Sequence, residues 1–310
     1  MKENVIVIVG PTASGKTKLS IELAKRINGE IVSCDSMQIY KYMDIGTAKP
    51  TKEEMEGIPH HLIDVVTPDC EFSVAKYKEM AEEAIDDILK RGKTPIVVGG
   101  TGLYVNSLIY NINFKETICN WEYREKLQKE AEQFGNKYLH EKLKEIDEES
   151  YNKLHENDLK RIIRALEVYE FTKETITKQA KDSRSVEPKY NYIVFGLMQD
   201  REKLYDRINK RVDKMLEDGL VDEVKKIREL GYENTKTSSK AIGYKEIFAW
   251  LNGKCTKEEA IEKLKMESRR YAKRQITWFK RTENIHWLNM ENNISDILKE
   301  IEKINTKIGG

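Results

Sequence analysis

Cysteine is scarce and scattered: Cys34, Cys70, Cys119 and Cys255 are the only four in 310 residues, and no two form a Cys-x-x-Cys pair. That spacing argues against zinc ribbons, dithiol redox motifs and a disulfide framework, and predicts a reducing, cytoplasmic setting. Long apolar runs are missing too. The N-terminal run, Val5 to Val9, stops after five residues at Gly10-Pro11, short of a signal peptide, and nothing approaches the roughly 18 apolar residues of a membrane span. Neither charge is in excess: 54 Lys and Arg face 53 Asp and Glu, a net charge of +1. Any affinity for nucleic acid must then come from a local patch rather than from the field of the whole molecule. There is no internal repeat and no low-complexity tract. No long heptad or exposed apolar stripe asks for a partner, which predicts a monomer. What is present, 39% apolar and 35% charged residues, is an ordinary globular composition able to bury a core in one large or two modest domains.

The most informative string is Gly10-Pro11-Thr12-Ala13-Ser14-Gly15-Lys16-Thr17, the G-x-x-x-x-G-K-T phosphate-binding loop. It follows an all-apolar strand and precedes a helical segment, Lys18 to Ile27. In that context backbone N–H groups and a helix N-terminus aim at an anion, Lys16 adds a point charge and the Thr17 hydroxyl can hold Mg²⁺. The loop binds a phosphate or diphosphate, with ATP as one possible source.

Ile31 to Cys34 and Pro95 to Val98 read as two further buried strands, and Tyr192 to Gly196 and Ile285 to Leu288 as two more. Between them Val74 to Lys90 has a 3.6-period stripe of Tyr77, Met80, Ala81, Ala84, Ile85, Ile88 and Leu89, with Ser73 as N-cap. Strands alternating with helices predict an α/β fold, a P-loop NTPase-like parallel sheet core formed by residues 1–110 and 190–310. Residues 111–189, rich in Lys and Glu and poor in strand signal, predict a small inserted α-helical domain. Its best helix follows Asn157, with Leu159, Ile162, Ile163 and Leu166 inward and Lys160, Arg161 and Arg164 projecting. Those cations either compensate something anionic or form a solvated face balanced by Glu167 and Glu170. Lys181 to Pro188 reads as a returning loop.

Ligands of an open parallel sheet sit beyond the carboxyl ends of its strands, so the phosphate loop, Asp35-Ser36-Met37-Gln38 and Gly99-Gly100-Thr101-Gly102 should converge. Asp35 suits a general base, a ligand of Mg²⁺-bound water or an N-cap. Ile96-Val97-Val98 ends in glycines rather than a Walker-B acid, which favours group transfer over ATP hydrolysis. The most basic stretch, Ser268 to Arg281, carries six Lys or Arg and no acid in fourteen residues. A capping box at Thr256 and Glu259 opens its helix, and Arg270, Lys273, Arg274, Thr277 and Arg281 share a face suited to backbone phosphates. Tyr271, Trp278 and Phe279 either pack inward or stack. His60-His61 lacks a third metal ligand at a recognisable spacing and reads as structural. Arg207 and Arg211, four apart on one helix, either close over a diphosphate or pair at the surface with Asp206 and Asp213.

Six strings in order, Gly10–Thr17, Asp35–Tyr40, Gly46–Pro50, Val97–Tyr104, Lys240–Lys245 and Lys273–Phe279, together resemble the bacterial tRNA dimethylallyltransferase family. The resemblance runs from the first strand to Trp287. It implies transfer of a dimethylallyl group from dimethylallyl diphosphate to N6 of the adenosine immediately 3′ of the anticodon, with Mg²⁺ and without ATP energy. By the same resemblance Gly10, Pro11, Thr12, Ala13, Ser14, Gly15, Lys16 and Thr17 hold the diphosphate, Thr17 the metal, and Asp35 acts as general base beside Thr101. The implied tRNA contacts are Asp35, Ser36, Met37, Gln38 and Thr101 at the sheet, then Arg124, Lys160, Arg161 and Arg164 in the insertion. Lys240, Gly243, Tyr244, Lys245, Lys273, Arg274, Gln275, Thr277, Trp278 and Lys280 complete them. Lys240 departs from the Gln or Arg of many relatives, and no Cys/His cluster follows Trp287 as in eukaryotic members. A P-loop small-molecule kinase would explain the loop and Asp35 but leave the basic helix idle. A non-catalytic RNA-binding protein would leave Lys16-Thr17 beside Asp35 unexplained.

Overall fold

The computed structural model describes residues 2–112, 120–183 and 186–309; Cys119 lies outside them. The chain forms two compact units, Met1–Ile109 with Lys189–Gly310, and Tyr110–Pro188. The first unit begins β1 (Asn4–Val9), α1 (Lys16–Ile27), β2 (Gly29–Ser33), α2 (Lys52–Met55), β3 (His60–His61), α3 (Val74–Lys90), β4 (Thr94–Gly99) and α4 (Gly102–Ile109). The second unit holds α5 (Trp121–Phe134), α6 (Asn136–Ile146), α7 (Glu148–Lys153), α8 (Leu159–Thr172) and α9 (Ile176–Ser183). The chain then returns through β5 (Asn191–Met198), α10 (Arg201–Glu217), α11 (Leu220–Glu229), α12 (Tyr244–Leu251), α13 (Lys257–Phe279), β6 (Ile285–Asn289) and α14 (Ile294–Gly309).

The strands form one parallel sheet in the order β3-β2-β4-β1-β5-β6. β1 is central because Val5 to Val9 are apolar on both faces, and all five are buried. Alternation of the pleat sends Val5, Val7 and Val9 to one side, where Tyr77, Ala81, Ile85 and Ile88 of α3 meet them. Ile6 and Ile8 point the other way, against Leu19 and Leu23 of α1 and Ile297, Leu298 and Ile301 of α14. Each such side chain contributes about 1.5–3 kcal/mol on burial, so these two layers hold the sheet. The Ser73 hydroxyl accepts the Lys76 N–H and starts α3 where its sequence predicts.

Three details depart from the reading of the sequence. β3 is a strand of two histidines, carrying no apolar signal, and it pairs through Ile31↔His60. α13 ends at Phe279 rather than Arg281. Lys181 to Ser183 continue α9 instead of starting a loop. In the insertion, Ile162, Ile163 and Leu166 of α8 pack with Leu127, Ala131, Leu139 and Leu143 of α5 and α6. Buried Asp147 ties α9 to α7 by accepting from the Ser150 and Thr177 hydroxyls, each at 2.8 Å.

Candidate functional site

β1, β2 and β4 end side by side, with Val9 opposite Gly99 and Ser33 opposite Val98. After β1 the chain turns through Gly10 to Gly15. Gly15 takes φ 94°, open to glycine at little cost, and α1 starts at Lys16. The Lys16 ammonium folds back over the loop, donating to the carbonyls of Gly10 (2.9 Å) and Pro11 (2.7 Å). Burial, aided by the charge of Arg211, pulls it down to about 7. The buried Ser14 hydroxyl has no hydrogen-bond partner among the described residues.

Arg211 of α10 reaches the same loop, donating to the Thr12 hydroxyl at 3.2 Å, and Arg207 donates to Gln199 at 2.9 Å. Desolvation and the charge of Arg207 both depress the Arg211 guanidinium. Asp206 pairs instead with Lys210 and Asp213 with Lys265, each at 2.7 Å. The surface-pair alternative for the two arginines is thereby overturned. Among the described residues neither has a carboxylate within ion-pair distance, so cationic charge collects at the loop unpaired, with Asp35 and Glu54 acting on Lys16 and Arg211 only from farther off. Such a place accepts an anion.

Asp35 follows β2 directly. Its Oδ1 accepts the N–H groups of Met37 (2.9 Å) and Gln38 (3.4 Å), so it shapes its own turn. Its other oxygen, Oδ2, has no hydrogen-bond partner among the described residues. The Thr101 hydroxyl accepts the Ser36 N–H at 2.9 Å and donates to Ser36 Oγ at 3.2 Å, which locks the Asp35 turn to the loop after β4. Gln38 is spent on structure, bonding Ser33 Oγ and the Ala48 carbonyl, each at 3.2 Å. Glycine is required after β4 by close approach. A Cβ on Gly99 would lie 1.9 Å from the Cys34 carbonyl oxygen, and one on Gly102 would lie 2.3 Å from the Trp278 indole.

These loops line one cleft of about 750 Å³, which Lys16, Thr17 and Asp35 share with Arg207, Arg211, Lys240, Lys245 and Arg274. Arg270, Lys273, Arg274, Thr277, Trp278 and Lys280 are exposed along α13 and its end, as one charged face. Phe279 is buried instead, and Tyr271 lines the cleft with burial raising its hydroxyl. Besides Gln38, three of the expected tRNA contacts sit otherwise. Gln275 is 5% exposed because it faces the sheet, accepting the Thr12 N–H (2.8 Å) and donating to the Gly100 carbonyl (3.0 Å). Tyr244 is a core residue whose hydroxyl donates to Glu223, and Gly243 is the buried N-cap of α12.

Glu223 is a residue that sequence reasoning missed. It accepts the N–H groups of Asp44 (3.0 Å), Ile45 (2.8 Å) and Gly46 (3.0 Å) as well as Tyr244, fastening the Gly46–Pro50 string to α12. Nothing marks it in the sequence, where it is one Glu on an amphipathic helix.

In the insertion Arg124 forks onto Glu167 (2.9 and 2.8 Å), and Arg164 meets the same carboxylate. Burial pushes Glu167 up, but the bonds from Arg124, Arg164 and the Asn120 N–H outweigh it and hold the carboxyl below its ordinary range. Glu167 is thus a buried anchor rather than part of a solvated face. Arg161 pairs with Asp158 at 2.9 Å, and Lys160 is exposed. At the amino end of the sheet His61 bonds Glu30 at 2.7 Å and His60 bonds the Ile58 carbonyl at 2.8 Å.

Among the described residues no cluster of three His, Cys, Asp or Glu could hold a metal ion. The donor set therefore fits Mg²⁺ only as a partner of bound phosphate, through Thr17. No described helix is long and apolar enough to cross a membrane.

A family model described as IPP transferase matches residues 38–282. A tRNA dimethylallyltransferase of Acetivibrio thermocellus is 60% identical over 302 residues, 97% of this chain and 96% of that protein. A crystal structure of a tRNA isopentenylpyrophosphate transferase from Staphylococcus epidermidis superposes with a TM-score of 0.73 at 49% identity, covering 99% of both chains. A structure described as a eukaryotic dimethylallyltransferase acting on tRNA gives a TM-score of 0.77 at 34% identity, over 93% of this chain and 74% of that one.

Proposed function

The chain belongs to the IPP transferase family, and from that premise we propose that it transfers a dimethylallyl group from dimethylallyl diphosphate to N6 of the adenosine immediately 3′ of the anticodon in tRNA. The observation that carries the reading is the meeting of a cationic phosphate loop with Asp35 in one cleft, beside the exposed basic face of α13, with Thr101 bonded to the Asp35 turn from the loop after β4.

The diphosphate sits in the loop, met by backbone N–H groups, Lys16, the partnerless Ser14 hydroxyl and Arg211. As N6 attacks C1, the C1–O bond breaks and diphosphate leaves with the electron pair. Lys16 and the loop N–H groups stabilise the charge that develops on it, which is transition-state electrostatics, while Arg211 holds the donor phosphates alike in the ground state and the transition state. The Thr17 hydroxyl would hold Mg²⁺ beside the bound diphosphate, and the ion would supply further neutralisation of that charge. Asp35 Oδ2 takes the N6 proton while Oδ1 keeps the turn in place. Thr101, tied to Ser36, orients the same base. The adenine is flipped out of its stack, at a cost of a few kcal/mol that phosphate contacts offset. Lys273, Arg274 and Lys280 of the first unit and Arg124, Lys160, Arg161 and Arg164 of the insertion make such contacts. The protein works as a cytoplasmic monomer.

Nucleoside mass spectrometry of unmodified tRNA incubated with the protein, Mg²⁺ and dimethylallyl diphosphate tests this directly, with ATP replacing the donor in a parallel tube. Gain of one C5H8 unit on adenosine in the first tube alone is the expected result. Phosphate transfer in the second with no prenylation in the first would mean a small-molecule kinase.

A further inference from the structure

Gln275 stands inside the most basic run of the chain, yet its side chain turns away from solvent. Oε1 accepts the Thr12 N–H at 2.8 Å and Nε2 donates to the Gly100 carbonyl at 3.0 Å. Thr12 belongs to the loop that holds the donor, and Gly100 immediately precedes Thr101 on the loop that faces the acceptor base. One buried amide therefore spans the two loops whose separation sets the distance between prenyl C1 and adenine N6. The fit leaves no slack, since a Cβ on Gly100 would lie 2.1 Å from Gln275 Nε2. The helix that carries the amide is itself fixed, with Lys265 paired to Asp213 at 2.7 Å and Arg269 bonded to Asn209 at 2.5 Å on α10.

We propose that Gln275 is a positioning residue for the transfer, a strut that sets the gap between the donor loop and the acceptor loop, and not a contact to tRNA. An amide is the side chain that suits this place. It presents one acceptor and one donor about 2 Å apart, and a carboxylate at Nε2 would oppose the Gly100 carbonyl. Misplacement of reacting atoms by about 1 Å costs on the order of 10²-fold in rate without a matching loss of affinity. The inference rests on the donor and acceptor assignment above, and wild-type turnover checks that assignment separately.

The test is Gln275→Met, similar in volume but unable to bridge. Steady-state prenylation and fluorescence binding of an anticodon stem-loop RNA and of inorganic pyrophosphate are compared with wild type. The expected result is a kcat lower by roughly 10- to 100-fold, with both dissociation constants within about threefold. A loss confined to RNA affinity would make Gln275 a tRNA contact and overturn the proposal, as would unchanged kcat. Amide-resolved hydrogen exchange on the wild-type protein needs no variant to fold. Slow exchange at Thr12 is expected, and fast exchange there would remove the strut.

Discussion

The two ends of the sheet carry charge in opposite ways. At the amino end the Glu30 carboxylate, 2% exposed, is met by Arg91 (2.5 Å), Lys93 (2.7 Å) and His61 (2.7 Å). Burial opposes ionisation there, but the Arg91 bond outweighs it and holds the carboxyl far below its ordinary range. At the carboxyl end Lys16, Arg207 and Arg211 gather with no paired carboxylate among the described residues, and the Ser14 hydroxyl is left without a partner. The first arrangement is complete in the free protein, whereas the second is left open, as the proposed diphosphate site requires. Closed networks mark stability and open ones mark function.

The contrast breaks most visibly at Asp35, which belongs to the open end. Asp35→Ala should lower kcat by roughly 10²- to 10⁴-fold with little change in tRNA affinity. Wild-type turnover by that variant would remove the general base. Next in size is Arg211→Met, which deletes a charge-assisted contact of about 1.5–3 kcal/mol and should raise the donor KM by roughly 10- to 100-fold. An unchanged donor KM would mean that the unpaired charge does not serve the diphosphate.

Glu30→Gln probes the closed end. Its cationic partners are partly solvated, so the loss of stability should be about 1–2 kcal/mol by chemical denaturation, with donor KM unchanged. Because the folded carboxyl titrates below the unfolded one, its contribution is fully present above about pH 5 and fades as pH falls below the unfolded value near 4.3. The gap between wild type and Glu30→Gln should therefore narrow in acid. A gap that widens instead would reverse the sign assigned to the network. The smallest effect expected is that of Lys273→Ala on the exposed face of α13. RNA binding should weaken about two- to fivefold regardless of sequence, and the log–log salt slope should flatten by about one unit.

How much of this was legible in the chain follows from where the information sits. β1, the phosphate loop and α1 are contiguous, and the Ser73 cap with its apolar stripe defines α3 locally, so both can be read from periodicity and spacing. The basic run of α13 identifies an exposed face, but composition does not say which residue in it turns inward, and Gln275 does. Arg207 and Arg211 can be placed on one side of a helix from their spacing. That the phosphate loop lies across from them is tertiary. Glu223 and the His60–His61 strand depend wholly on partners distant in sequence, Gly46 and Tyr244 for the one and Ile31 for the other.

The proposed chemistry gives the cleft a donor side at Arg211 and an acceptor side at Asp35, and single-turnover prenylation of tRNA at rising dimethylallyl diphosphate separates them. Excess donor should restore most of the wild-type rate to Arg211→Met and none of it to Asp35→Ala. Rescue of Asp35→Ala by donor, or an Arg211→Met enzyme that stays slow at saturation, would contradict the division.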